Sequence, residues 1–300
     1  MKRRSDYPAY LAMRAAGAAI GLMPRPLARG AGAWLGRSAR ALGMRRKIAD
    51  DNLALAFPEQ SPAERETIAR GVFAHFGRMA VDSLRLSAGE PGSVVRLVTG
   101  GECVDLVRER LPRGKGVIIL TGHVGNWELA GAYIAALGLP LAAVVKPPAN
   151  PHVAAHAERV RRRLGIETIP MPEARTGVME ALRRGKVVAL VADQGALRSS
   201  TWTPFFGRPT KTPAGPGVFA ARSGAPVLFG ALIAQPGGGY RLDGEVLAEA
   251  VEPDAADPAG SIARLYRAAL ETLVRRVPEQ YLWTHRLWKQ QPPPAPPGGP

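Results

Sequence analysis

The segment Thr121-Gly122-His123-Val124-Gly125-Asn126-Trp127-Glu128 joins an apolar run, Val117-Ile118-Ile119-Leu120, to a second apolar stretch, Leu129 to Leu137. The run reads as a buried strand and the stretch as a helix. Spaced His-x-x-x-x-Glu at that corner, an imidazole and a carboxylate lie where open α/β sheets bind ligands, outside the carboxyl end of a strand. Imidazole trades protons near neutral pH, so His123 is a candidate general base. The plainer alternative is that His123 caps the helix or satisfies a backbone carbonyl.

Other strand ends also carry polar groups. Val187 to Ala192 runs into Asp193-Gln194-Gly195, which brings a carboxylate and an amide to the sheet edge. Asp193 there either orients a ligand or an arginine, or serves as a turn aspartate. After Leu141–Lys146 comes a proline-rich loop ending in Asn150-Pro151, then a helix bearing Arg159, Arg161, Arg162 and Arg163. Helical spacing groups Arg159, Arg162 and Arg163 and turns Arg161 elsewhere. As a group they suit phosphates or an acidic partner; singly, each suits a solvated face. The segment 201–210 reads as an aromatic, turn-rich loop. Trp202, Phe205 and Phe206 in it either wall an apolar chain or form a buried plug.

Some chemistries find no support. Gly-x-Ser-x-Gly, the Gly-x-x-x-x-Gly-Lys-Ser/Thr phosphate loop and a Gly-x-Gly-x-x-Gly after a strand are all absent. His152 and His156 share a helix face, yet no carboxylate accompanies them as in His-Glu-x-x-His, and no metal is expected. The single cysteine, Cys103, excludes a disulfide framework and reads as a small buried hydrophobe.

The elements that must position these groups alternate. Strands are expected at Val117–Thr121, Leu141–Lys146, Ile166–Ile169, Val187–Ala192, Val227–Ile233 and Tyr240–Leu247. Helices are expected at Asn126–Leu137, Pro151–Leu164, Arg175–Arg184, Pro213–Ser223 and Ile262–Val274. The fold class is therefore α/β, a mostly parallel central sheet flanked by helices. Upstream, Ser61-Pro62-Ala63-Glu64 forms a capping box that starts a helix running toward Leu86.

Residues 1–48 are read as membrane-associated helices, 49–290 as the catalytic domain and 291–300 as a disordered Pro/Gly-rich tail. Tyr7 to Met23 contains Arg14 and much Ala and Gly, which makes a poor transmembrane span. Leu27, Ala31, Trp34, Leu35, Ala39 and Leu42 recur at helical spacing among Arg25, Arg29, Arg37, Arg40, Arg45, Arg46 and Lys47. That pattern suits a helix lying in a membrane interface; the alternative is a helix pair packed on the domain.

In 300 residues, 40 Lys+Arg against 25 Asp+Glu leave a net charge of +15. An anionic partner follows, whether lipid surface, acidic protein, phosphorylated substrate or nucleic acid. Aromatics are not interleaved with the basic clusters and no nucleic-acid-binding motif appears, which counts against the last.

Taken in order, several pieces together resemble the secondary lipid A acyltransferases of the lysophospholipid-acyltransferase-like superfamily. They are Asp51-Asn52-Leu53-Ala54-Leu55-Ala56-Phe57-Pro58-Glu59, Gly122-His123-Val124-Gly125-Asn126-Trp127-Glu128, Asn150-Pro151 with its arginines, Ala192-Asp193-Gln194, Pro204-Phe205-Phe206-Gly207 and Pro278-Glu279-Gln280-Tyr281-Leu282-Trp283-Thr284-His285-Arg286. The resemblance covers roughly residues 8 to 290. It implies a glycerolipid-acyltransferase-like fold and acyl transfer from a thioester to a hydroxyl of a membrane glycolipid. The donor would be acyl carrier protein or a coenzyme A ester, the acceptor a lipid A precursor, with no cofactor or metal. It makes His123 the base, Glu128 the group that holds the imidazole, and Arg161 the oxyanion or phosphate donor, with Arg159 second. Asn126, Asp193, Gln194, Phe205 and Phe206 would contact substrate. It implies the cytoplasmic face of the inner membrane. Relatives sharing the motif acylate phosphatidylinositol mannosides, so that acceptor stays open, as does a non-catalytic basic protein that binds anionic lipid or nucleic acid.

Overall fold

A computed structural model describes residues 6–194, 199–252, 255–290 and 292. Apart from residue 292, the expected tail lies outside the described residues. The chain opens with α1 (Asp6–Leu22), α2 (Arg25–Ala41), α3 (Arg46–Ala56) and α4 (Pro62–Ala88), followed by α5 (Cys103–Arg110). An alternating series follows: β1 (Val117–Thr121), α6 (Trp127–Ala136), β2 (Leu141–Val145), α7 (Pro151–Arg163), β3 (Glu167–Pro170), α8 (Ala174–Arg183) and β4 (Val187–Val191). Then come β5 (Ser200–Phe205), β6 (Arg208–Pro213), α9 (Gly215–Ser223), β7 (Val227–Ala234), β8 (Tyr240–Ala248) and α10 (Pro258–Arg276).

The 6-stranded sheet has the order β3-β2-β4-β1-β7-β8. Only β8, at the edge, runs antiparallel to its neighbour. β1 is central and buried along its whole length, as expected of a Val/Ile/Leu run covered on both faces. Its residues alternate between two cores. Ile118 and Leu120 join a cluster with α3, α4 and α10, while Val117 and Ile119 join one with α5 and α6. The mostly parallel α/β class is as the sequence implied.

Two elements differ from expectation. The aromatic segment is a β5–β6 hairpin, with Thr203, Thr210 and Thr212 turned inward and buried. Pro204, Gly207 and Pro209 hid it by reading as turn residues. Helix α5 carries Cys103, whose thiol burial pushes up to about 12; it packs as a small hydrophobe. The capping box at Ser61 forms in both directions, with Ser61 N–H donating to Glu64 at 2.7 Å and Glu64 N–H to Ser61 Oγ at 3.3 Å.

The N-terminal helices pack on the domain. Helix α2 buries Ala28, Gly32 and Ala33, and a Cβ at Gly32, Gly36 or Gly77 would collide with backbone of the opposite helix, α4 or α2. Such contact requires glycine. Asp82 of α4, 3% exposed, accepts from Arg25 at 3.2 Å, from Arg29, and from the Tyr240 hydroxyl at 2.6 Å. Away from that seam Leu22, Leu27, Trp34, Leu35, Leu42 and Met44 stay exposed. Among the described residues no helix is long and apolar enough to cross a membrane.

Candidate active site

Because β1 and β4 are parallel neighbours with Thr121 opposite Val191, their continuations bring His123 and Asp193 together. The His123 backbone N–H donates to Asp193 Oδ2 at 3.0 Å, and Nδ1 lies 2.7 Å from Oδ1. A carboxylate only accepts, so Nδ1 carries the proton and Nε2 presents its lone pair. Burial alone would lower the His123 pKa; the Asp193 charge and hydrogen bond, with a smaller contribution from Glu128, outweigh it and raise the pKa above the ordinary histidine value. Burial opposes ionisation of Asp193 too, yet His123 and Arg267 hold its carboxyl below the usual carboxylate range. Arg267, fully buried on α10, donates to the Asp193 carbonyl at 2.8 Å and to Thr212 Oγ1 at 2.8 Å. The hairpin is thereby tied to the site from behind.

The loop bearing His123 is held on every side. Gly125 has φ +61, and a Cβ there would strike the Leu232 carbonyl. Its N–H donates to the Gln280 carbonyl at 2.9 Å, and Leu282 N–H donates to the His123 carbonyl at 3.0 Å. The Tyr266 hydroxyl donates to the Thr121 carbonyl at 2.9 Å. From α4, the buried His75 donates Nε2–H to the Gly125 carbonyl at 3.0 Å. Burial lowers the His75 pKa to about 4, so the ring is neutral near pH 7. Trp127 stands edge-on to the His123 ring, centroids 4.8 Å apart.

Glu128 does not hold the imidazole. As the second residue of α6 its side chain leans toward α7, where Arg161 donates to it at 3.2 Å; Asp193 takes the place that the resemblance gave to Glu128. The Gln194 amide lies 3.3 Å from His123 Nδ1. Asn126, expected against substrate, is fully buried and caps α6 by accepting from Leu129 N–H at 3.1 Å. Phe205 and Phe206 are also buried rather than exposed. They pack with Phe57, Tyr281 and Trp283, the plug reading of that segment. Arg159 and Arg163 leave Arg161 on its own side of α7 and line a cavity beneath α1, while Arg162 pairs with Glu158. His152 and His156 meet Tyr7 and Tyr10 of α1; among the described residues no cluster suits a metal. Asn52 explains its motif by donating to the carbonyls of Trp283 and His285 at 2.7 and 2.6 Å, which secures the segment over the His123 loop.

Sequence reasoning weighed Asp193 and missed its partner, and it passed over His75, Trp127 and Arg267. His75 stands among Phe73, Phe76 and Met79 in a helical run, a signal that it faces inward.

An imidazole fixed at Nδ1 by a buried carboxylate, open at Nε2 and mounted at the carboxyl edge of a parallel sheet, equips an α/β protein for general-base chemistry. The sequence model of the bacterial lipid A biosynthesis acyltransferases matches residues 1–290, and the chain belongs to that family. It is similar to the lipid A biosynthesis palmitoleoyltransferase of Escherichia coli (strain K12), 30% identical over 274 residues that cover 90% of this chain and 87% of that protein. It is similar also to the lauroyltransferase of lipid A biosynthesis of the same strain, 28% identical over 90% of this chain and 88% of that protein. A phosphatidylinositol mannoside acyltransferase of Mycolicibacterium smegmatis is 26% identical over 58% of each chain. The protein is an acyltransferase, and its relatives make a glycolipid the acceptor class.

Proposed function

We propose that this protein moves a fatty acyl chain from acyl carrier protein to a hydroxyl of a lipid A precursor, with His123 as the general base. The observation that carries the reading is the 2.7 Å contact between His123 Nδ1 and Asp193, which leaves Nε2 to face substrate. An alcohol is a weak nucleophile. Nε2 takes its proton as the oxygen attacks the thioester carbonyl, and the Asp193 carboxylate stabilises the imidazolium that forms. The tetrahedral intermediate carries an oxyanion, and Arg161, steadied by Glu128, is the donor assigned to it. As the C–S bond breaks, the proton passes from Nε2 to the departing thiolate and the ester is released. The scheme uses no cofactor.

A +15 chain suits an acidic carrier protein, a phosphorylated acceptor and an anionic leaflet. The two E. coli relatives, both enzymes of lipid A biosynthesis, favour lipid A; the mycobacterial relative makes a phosphatidylinositol mannoside the alternative acceptor. The direct test incubates the protein with acyl-loaded carrier protein and a tetra-acylated lipid A precursor and weighs the product. A gain of one acyl chain is expected. A gain only with the coenzyme A ester would overturn the donor, and a gain only on the mannoside would overturn the acceptor.

The exposed Leu22, Trp34, Leu35 and Leu42, beside Arg37, Arg45, Arg46 and Lys47, support interfacial binding at the cytoplasmic face of the inner membrane. Trp34→Glu with Leu42→Glu is expected to move most of the protein from the membrane pellet to the supernatant while its circular dichroism is unchanged. An undiminished pellet fraction would reject this face.

A further inference from the structure

On the side of α7 opposite Arg161 lies a cavity of about 460 Å³. It is walled by α1, the last turn of α4 and α7, and its lining includes Arg14, Arg159 and Arg163 together with Met13, Leu84 and Val160. None of the proposed catalytic groups lines it.

Arg159 and Arg163 stack at i,i+4 on one helix face, an arrangement that costs energy unless an anion lies between like charges. Arg14 brings a third cation from α1. Arg14, Arg159 and Arg163 are exposed, whereas the buried Arg40 and Arg110 meet carboxylates. Among the described residues the three exposed arginines do not. Arg14 donates to the Tyr10 hydroxyl at 3.2 Å, and Arg163 to the carbonyls of Leu86 and Ser87 at 3.2 and 2.7 Å. All three guanidinium groups lie close enough to His156 to add to the effect of burial in lowering its pKa, so the ring stays neutral while the cations concentrate. Packing around the cavity is thin. Gly17 is the buried residue of α1, and α7 buries none. Apart from Ser87 and His156 the remaining wall is apolar, and Leu11 and Leu22 of α1 are exposed.

The geometry points to a second ligand site, a pocket for the phosphate headgroup of an anionic lipid, separate from the acyl-transfer site. Arg14, Arg159 and Arg163 take the phosphate, and Met13, Leu84 and Val160 take the adjoining apolar carbons. Cations paired with an apolar wall fit an amphiphile better than a free anion, and a concave pocket of this size fits a headgroup better than a protein surface. The bound lipid would tie α1 to α7.

The test is calorimetric titration of the full-length protein, held in an uncharged detergent at fixed salt, with monomeric dihexanoyl phosphatidate. Dihexanoyl phosphatidylcholine and inorganic phosphate form separate arms. Saturable 1:1 binding of phosphatidate is expected, at least about tenfold tighter than either comparison ligand. Arg14→Gln/Arg159→Gln should weaken it by at least about tenfold, each lost charge-assisted hydrogen bond contributing. Arg163 is left in place because it also holds the end of α4. Arg175→Gln/Arg183→Gln, an equal loss of exposed charge outside the cavity, should leave binding unchanged. Equal weakening by both pairs would reduce the effect to net charge and overturn the pocket. So would an unaltered affinity in the first pair. Inorganic phosphate binding as tightly as phosphatidate would overturn the lipid assignment. No acyl donor is present, so failure here and failure of acyl transfer are separate results.

Discussion

His123→Ala is expected to lower acyl transfer by about 10²–10⁴-fold, the range that a positioned general base contributes. Asp193→Asn should cost a comparable factor for a different reason. The amide keeps the shape but loses the charge that stabilises the imidazolium, and its N–H₂ can turn toward Nδ1 and favour the wrong tautomer. The pH profile separates the two roles. Only the neutral imidazole accepts a proton, so activity rises with pH through the His123 pKa, which lies above the ordinary value in part because of the Asp193 charge. Removing that charge lowers the pKa, and the rising limb in Asp193→Asn should shift to lower pH. Glu128→Gln, whose influence on His123 is the smaller one, should move the limb less and act mainly through Arg161. A limb that stays in place in Asp193→Asn would sink the assignment of Asp193 to the base.

Asp82→Ala should destabilise the fold by about 3–5 kcal/mol, the usual cost of breaking a buried ion pair from one side. Asp82 is the acceptor for Arg25, Arg29 and Tyr240, drawn from α2 and β8. Its loss leaves the Arg29 guanidinium, whose side chain is 12% exposed, against the Tyr240 hydroxyl alone. Tyr240→Phe removes one hydrogen bond and should cost about 1 kcal/mol. Denaturant unfolding with unchanged slope reads both. Adding Arg29→Gln to Asp82→Ala should recover part of the loss, because the uncompensated charge goes with it. No recovery would mean that the arginines turn out to water and that the cost lies elsewhere.

The sheet was legible because its strands are short runs of Val, Ile, Leu and Ala between turn residues; Val117–Thr121 is the clearest, and its bounds are those expected. Their order was not. Nothing in the chain announces that β4 rather than β2 lies beside β1, and that adjacency is what joins His123 to Asp193. Spacing pointed to Glu128 because it is near in sequence, but proximity along a helix start does not aim a side chain back at the preceding loop. The hairpin was masked by its prolines, while the burial of Phe205 and Phe206 was one of the two readings their sequence allowed. Helical periodicity separated Arg161 from Arg159 and Arg163, but the Arg162 it grouped with them pairs with Glu158 instead of lining the cavity. What lay opposite Arg159 and Arg163 depended on how α1 folds back.

The glycine seam between α2 and α4 has a consequence for how such proteins can be recombined. Gly32 and Gly36 meet Gly77 and Phe73 at backbone distance, and the same α4 carries His75 to the Gly125 carbonyl. The N-terminal helices and the reactive loop are thus joined through a single rod with no compliant link between them. An N-terminal segment borrowed from an unrelated protein would not restore this register. A working chimera must exchange α1 through α4 as one inherited block, with its junction placed beyond Ala88.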